Sequence, residues 1–518
     1  MTTKPDESEV DAAHGGAFNR LMITVSIMTA TLMNALDMTI ANVALPNIQG
    51  SVSASQDQVT WVLTSYIVAA AIMTPLTGAL SARFGRKRVF LVSVAGFTFA
   101  SALCGLAQNL SQIVGFRLLQ GAFGAPLIPL AQAVLLDINP PHKQGQAMAV
   151  WGMASMLGPI LGPALGGYLT DHFSWRWVFY INLPFGIASF IGISIFIAGG
   201  RPLSRPRFDL LGYTFLAVGV AAVQLMLDRG EQLDWFSSLE IWIELILGIL
   251  SFYLCVVQTF TAKSPFIPRA VAFDRNFMTA CLFSVIMGVL MFATTALLPP
   301  MIETLLGYPV TQAGFILAPR GVGTLISMFV VGRLVSIVDN RLIMLVGISI
   351  LAVSMYQMTH FSLLMGAGPI MLSGVLQGMG MGLLFVPLTT MAFSTLDTRF
   401  RTEAAGLFTL VRNVGSSVGI SILAGVQIRA SKMAYAEMIP HIRKDNPAFL
   451  AQARQFNLSD PMTLAGLSGQ VSRQAAMVGY IDAFKAIMII CFVAMPLLIL
   501  LKQPKTRQTK TDSHMAME

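Results

Sequence analysis

Long apolar runs separated by short polar segments dominate the chain. They fall near 19–45, 58–80, 88–108, 111–136, 145–169, 176–199, 209–227, 239–261, 276–299, 311–333, 342–362, 366–392, 403–428 and 477–501, each bounded by charges or by glycine and proline breaks. Each run is roughly 20 residues long, enough to cross a hydrocarbon core at about 1.5 Å per residue and far longer than a buried strand. Only a helix closes its backbone hydrogen bonds within such a run. The pattern predicts an all-α membrane protein of about 14 transmembrane helices.

Composition agrees, because 55% hydrophobic and 11% charged residues across 518 positions cannot cover a soluble surface. The first residues, with Lys4, Asp6, Glu7, Glu9 and Asp11, lack the basic-then-apolar pattern of a cleaved signal, so the first helix reads as a retained anchor. Cys104, Cys255, Cys281 and Cys491 all sit in apolar runs without close partners, and the histidines form no pair in a span. No disulfide framework, metal site or cofactor is expected. Phosphate loops and nucleophile elbows are missing from the sequence, and no nucleic-acid partner is expected.

The net charge of +8 matters through its placement. Alternate loops carry Arg83, Arg86, Lys87 and Arg88, then Lys143, then Arg201, Arg205 and Arg207, then Lys263, Arg269 and Arg275, then Arg341, then Arg399 and Arg401. By the positive-inside rule these loops and both termini are cytoplasmic, which for a bacterial cell places the chain in the inner membrane. The opposite loops are acidic or neutral, as at Asp57, Asp171 and Asp228 to Asp234. Segment 429–476 is read as a long extracytoplasmic loop despite its basic residues, because long loops translocate regardless of charge.

Leu119-Gln120-Gly121 followed by Ile128-Pro129-Leu130 returns as Leu376-Gln377-Gly378 followed by Val386-Pro387-Leu388. A separation of about 255 residues fits a duplicated six-helix unit whose substrate site would lie between the copies near the midplane. The expected organisation is a tail over 1–18, a six-helix bundle over 19–200, a two-helix insert over 201–262, a second bundle over 263–501 and a tail over 502–518.

Several motifs carry chemistry. After the second run, Gly78-Ala79-Leu80-Ser81-Ala82-Arg83-Phe84-Gly85-Arg86-Lys87-Arg88 combines glycines that permit close helix approach with cations able to hold helix C-termini or acids. Arg117 lies about seven residues inside the fourth run, where an unpaired guanidinium costs a few kcal/mol, so it reads as functional. Asp37 lies at matching depth in the first run. The fifth run contains Gly158-Pro159-Ile160-Leu161-Gly162-Pro163-Ala164-Leu165-Gly166-Gly167, a flat face for helix contact with prolines that bend it. Asn34, Gln120, Arg320, Gln377 and Arg412 are the polar residues expected to line a substrate cavity, which methionines and phenylalanines would let adapt to varied apolar ligands.

The loop after the second run resembles the cytoplasmic motif of the major facilitator superfamily, with its usual acidic position occupied by Ala82. Arg117-Leu118-Leu119-Gln120-Gly121 resembles the arginine motif that the superfamily associates with proton coupling, which with the depth match implies Asp37 as the proton-coupling carboxylate paired with Arg117, and the fifth run resembles its exporter motif. Leu36-Asp37-Met38-Thr39-Ile40-Ala41-Asn42-Val43-Ala44-Leu45-Pro46, Trp175 to Pro184 and Leu227 to Phe236 narrow the resemblance to the EmrB type within the fourteen-helix drug:proton antiporters (EmrB/QacA). That resemblance implies a major facilitator fold of two six-helix bundles and a two-helix insert. It further implies export of hydrophobic or amphipathic compounds against protons by alternating access, with a periplasmic membrane-fusion adaptor and an outer-membrane channel as partners. The segments around Asp228 to Asp234 and Arg429 to Arg473 are then expected to meet the adaptor. Transport of an endogenous lipid or metabolite is the rival within the fold. An intramembrane enzyme is disfavoured, because no nucleophile and base face each other at one depth.

Overall fold

A computed structural model describes residues 16–140, 143–199, 208–335, 337–397, 400–441 and 461–501. Its main helices are α1 (Gly16–Ser51), α2 (Trp61–Met73), α3 (Leu76–Phe84), α4 (Arg86–Leu106), α5 (Leu110–Gly124), α6 (Leu127–Ile138), α7 (Gln144–His172), α8 (Asn182–Phe196), α9 (Leu210–Arg229) and α10 (Leu239–Thr261). The second part of the chain forms α11 (Arg275–Pro300), α12 (Val310–Leu334), α13 (Asn340–Met358), α14 (Ala367–Ser394), α15 (Arg401–Met438) and α16 (Pro461–Leu497). Among the described residues, 13 helices are long and apolar enough to cross a membrane, and the bent pair α2 and α3 supplies a 14th span.

Local chemistry sets the bends and ends. Pro75 has no N–H to continue the helix, and α2 and α3 meet there at 56°. Pro126 divides α5 from α6 within one span in the same way. Gly85, at φ +86°, turns the chain from α3 into α4 through a conformation that side chains rarely adopt. The carboxylates of Asp209 and Asp274 and the amide of Asn109 accept the free N–H groups that open α9, α11 and α5, at 3.0, 2.7 and 2.9 Å.

Helices α1 to α8 pack mainly on one another, as do α11 to α16, while α9 and α10 form a pair whose first member touches α2 and α15. The two groups meet where α7 runs along α12 and α14, and where α3 and α6 reach α15. Lipid supplies no hydrophobic push between helices, so contact depends on small residues that let backbones approach. Gly158, Gly162 and Gly166 provide this between α7 and α1: a Cβ on Gly158 would strike the Ala35 backbone, and one on Gly162 would strike Thr39. Gly167 is buried behind them, and Pro159 and Pro163 lie within α7 without ending it. Thr39 Oγ1 donates to the Gly158 carbonyl across this contact at 3.1 Å.

One expectation is corrected. Segment 429–476 is not a loop throughout, because α15 continues to Met438 and α16 begins at Pro461. At about 1.5 Å per residue, helices of 38 and 37 residues reach well past a core of about 30 Å. Their extensions pair, with Tyr435 Oη 3.1 Å from Ser468 Oγ and Gly479 packed against Gln427 and Ser431. The tails, Arg201, Arg205, Arg207, Arg399 and the stretch 442–460 with Arg443, Lys444 and Arg454 lie outside the described residues.

Gly158→Leu should lower unfolding stability by at least about 2 kcal/mol, because the Ala35 backbone cannot yield to the added bulk. Gly115→Leu, at a site with nothing within 4 Å, should leave the melting temperature in detergent nearly unchanged. Equal shifts for the two variants would contradict the close contact.

Candidate functional site

Asp37 and Arg117 meet inside the first helix group. Arg117 Nη1 donates to Asp37 Oδ2 at 2.7 Å, and the two side chains are 1% and 0% exposed. The other carboxylate oxygen accepts from Gln120 Nε2 at 2.7 Å and from Asn182 Nδ2 at 2.8 Å. Arg117 also donates to the Val62 carbonyl at 3.1 Å and to Gln120 Oε1 at 2.9 Å. Five helices converge on one carboxylate: α1 carries it, α5 brings Arg117 and Gln120, α8 brings Asn182, α2 gives the Val62 carbonyl, and α4 supports Asn182 through Ser101 Oγ at 3.0 Å.

Helix geometry explains why one segment supplies two partners. Arg117 and Gln120 are three apart on α5, so they lie on one face and reach Asp37 together. Gly121 follows them, and its bare Cα lets α5 settle on the Tyr66 carbonyl of α2. This close approach brings the Tyr66 ring beneath the Arg117 guanidinium, with Cζ 4.2 Å from its centroid. Tyr66 Oη accepts from Asn34 Nδ2 at 3.1 Å.

Asn34 and Tyr66 border a cavity of about 110 Å³ whose far wall includes Gln224 of α9 and Thr409, Asn413, Ser416 and Ile420 of α15. A chain of contacts therefore runs from Asp37 through Arg117 and Tyr66 to Asn34 and this space. Of the residues expected to line a cavity, only Asn34 does so here. Gln120 belongs to the Asp37 cluster. Gln377 Nε2 donates to Thr294 Oγ1 at 2.6 Å, and Arg320 donates to Thr295 Oγ1 at 2.9 Å and the Met291 carbonyl at 3.0 Å. Arg412 is buried against the Phe385 ring, its Cζ 5.9 Å from the centroid.

On the basic-loop side the two helix groups are clasped. Arg86 pairs with Asp137 at the end of α6, and Arg401 at the start of α15 donates to the same carboxylate at 3.2 Å and to the Leu136 carbonyl at 3.3 Å. Gly78 lies hard against Glu403, so a Cβ there would collide with it. Arg83 is exposed and rests over the neighbouring Phe84 ring at 5.6 Å. A larger cavity of about 880 Å³ opens beside this clasp, between α3, the start of α9, Lys263 to Val271 and Glu403. On the opposite side, Asp228 turns inward as an acceptor for Thr64, and Arg229 pairs with Glu240.

Sequence reading missed Asn182, Asp137 and Tyr66. Asn182 sits in the quoted Trp175–Pro184 stretch as a polar residue inside an apolar run, the signal that picked out Asp37. Asp137 lies one residue beyond the expected end of its span, where depth gives no signal.

Comparison with known proteins fits this architecture. The Major Facilitator Superfamily model matches residues 27–420. The multidrug export protein EmrB of Haemophilus influenzae is 35% identical over 476 residues, covering 91% of this chain and 93% of that protein. The fatty acid resistance protein FarB of Neisseria gonorrhoeae is 34% identical over 486 residues, covering 93% and 96%. The human organic anion transporter MFSD10 (TETRAN) shares the fold at a TM-score of 0.60 with 15% identity, over 92% of this chain and 99% of that one. The helical topology and the paired bundles define a membrane transporter rather than an enzyme. The chain belongs to the major facilitator superfamily and, within it, to the EmrB-type multidrug exporters.

Arg117→Met should destabilise the protein by about 3 kcal/mol, since it leaves the Asp37 carboxylate buried beside neutral donors alone. The double variant Asp37→Leu with Arg117→Met should recover most of that loss in chemical unfolding. Failure to recover would mean that the pair contributes more than mutual neutralisation.

Proposed function

We propose that this protein exports hydrophobic or amphipathic small molecules in exchange for protons, with Asp37 as the proton-carrying carboxylate and Arg117 as its counter-charge. One observation carries the reading: a fully buried carboxylate is ion-paired and linked, through Tyr66 and Asn34, to a cavity walled by both helix groups. In this reading the carboxylate takes up a proton from one side and releases it to the other as access alternates, with Arg117 as its counter-charge. About 150 mV across the membrane moves one charge for roughly 3.5 kcal/mol, enough for a few-hundred-fold gradient per proton.

Alternating access then requires the clasp to break. The Arg86–Asp137–Arg401 cluster holds the basic-loop side closed, and the seam where α7 runs along α12 and α14 is the contact on which the groups rock. The basic loops support an inner-membrane location with both termini cytoplasmic. On that orientation the paired extensions of α15 and α16 project into the periplasm, the surface to which a membrane-fusion adaptor and, through it, an outer-membrane channel would attach.

Asp37→Asn keeps the shape of the side chain but cannot release a proton. In proteoliposomes with an imposed pH gradient it should insert and bind substrate normally yet show no gradient-driven export. Export at the wild-type rate would move the coupling role to another residue.

Asp137→Asn should loosen the clasp. Because Cys104, Cys255, Cys281 and Cys491 are all buried, a cysteine placed at the buried Thr77 reports opening over a low background. Its labelling by a membrane-impermeant thiol reagent from the cytoplasmic side should rise several-fold in the Asp137→Asn background.

A further inference from the structure

Charge in the buried interior does not balance. Among the described residues, the charged side chains counted as buried are Asp37, Arg117 and Arg412, and the first two neutralise each other. Arg412 is 7% exposed, its side chain makes no hydrogen bond or ion pair among the described residues, and its guanidinium lies over the face of Phe385. The nearest acid on its own helix, Glu403, lies about two and a half turns toward the clasp. A cation held this way in a membrane interior calls for an anion or water to complete it.

Two other polar groups also lack hydrogen-bond partners among the described residues. Thr409 Oγ1, one turn earlier on α15, is buried without a hydrogen bond and borders the 110 Å³ cavity. Trp151 Nε1 on α7 is fully buried without an acceptor, and its ring stacks on the same Phe385 at 5.5 Å. Arg412 and Trp151 therefore lie against one aromatic ring from opposite helix groups, both supplying donors and neither meeting an acceptor. Around them Met328, Phe385 and Gly152 form an apolar wall, the side a hydrocarbon tail would need.

We propose that Arg412 is the acid-recognising subsite of the export pathway, binding the carboxylate of an amphiphile whose apolar body lies along the seam between α7 and α14. Trp151 Nε1 and Thr409 Oγ1 complete the recognition as the groups separate and expose the seam. A planar guanidinium suits this task because it can engage both carboxylate oxygens at once. This inference rests on the export reading above, but it concerns binding and needs no proton gradient.

The test compares three probes with one tail: dodecanoate, dodecanol and dodecyltrimethylammonium. Binding to the full-length protein in nanodiscs is measured without a gradient, with empty nanodiscs subtracted. Dodecanoate should bind at least about ten-fold tighter than the other two. Arg412→Gln should abolish that preference while leaving dodecanol binding unchanged, whereas Arg320→Gln should keep it. Equal affinity of the wild type for all three probes overturns the proposal even if Arg412→Gln fails to fold. Loss of preference in Arg320→Gln but not Arg412→Gln overturns it as well. Anion preference through Arg412 in a protein that exports without protons would sink the coupling reading and leave this one standing.

Discussion

A carboxylate in the middle of a bilayer has two oxygens to satisfy and no bulk water to satisfy them. Everything placed around Asp37 answers that constraint. One oxygen takes the Arg117 guanidinium, and the other takes two amide N–H groups, from Gln120 and Asn182. Because these donors come from separate helices, the positions of α1, α5 and α8 are fixed relative to one another by chemistry rather than by apolar contact, which is weakly specifying in lipid. Gly121 follows from the same demand, since it lets α5, which carries Arg117 and Gln120, settle on the backbone of α2.

The internal duplication makes the chemistry of the first half easier to read. Gln377 stands where Gln120 stands in the first copy, and its partner Thr294 falls at the same interval after Asp37. The second copy thus keeps the amide and replaces the carboxylate with a hydroxyl. Likewise, Gly378 settles on the Arg320 carbonyl much as Gly121 settles on that of Tyr66. Packing geometry survived in both copies, while the acid–base pair exists in one. A second carboxylate would have needed a second counter-charge; a hydroxyl holds the amide without adding charge.

Much of this was legible in the sequence. Fourteen apolar runs, the depth match of Asp37 and Arg117, and the glycine face of α7 all express rules that act within one helix or one bilayer depth. What could not be read depends on which helices become neighbours. Asn182 reaches Asp37 only because α8 packs on α1, and Asp137 joins Arg86 to Arg401 only because α6 meets α15. The expected cavity residues scattered for the same reason: Gln120, Gln377 and Arg320 are polar and deep, but the face each presents is set by tertiary packing. The reading of 429–476 as a loop differs for another reason, because polar residues ended the hydropathy signal while the helix itself continued to Met438.

The overlong helices α15 and α16 have a mechanical consequence. If their extensions project about 25 Å beyond the hydrocarbon core, a rotation of about 10° of the helix group that carries them sweeps the tips through roughly 4 Å, the scale of a helical turn. The extensions pack side by side, so they bend less than either helix would alone. A rocking motion too small to notice at the bilayer midplane becomes a displacement that anything resting on those tips must follow. Such a coupled pair of helices acts as a rigid pointer, reporting outside the membrane which way the transporter faces.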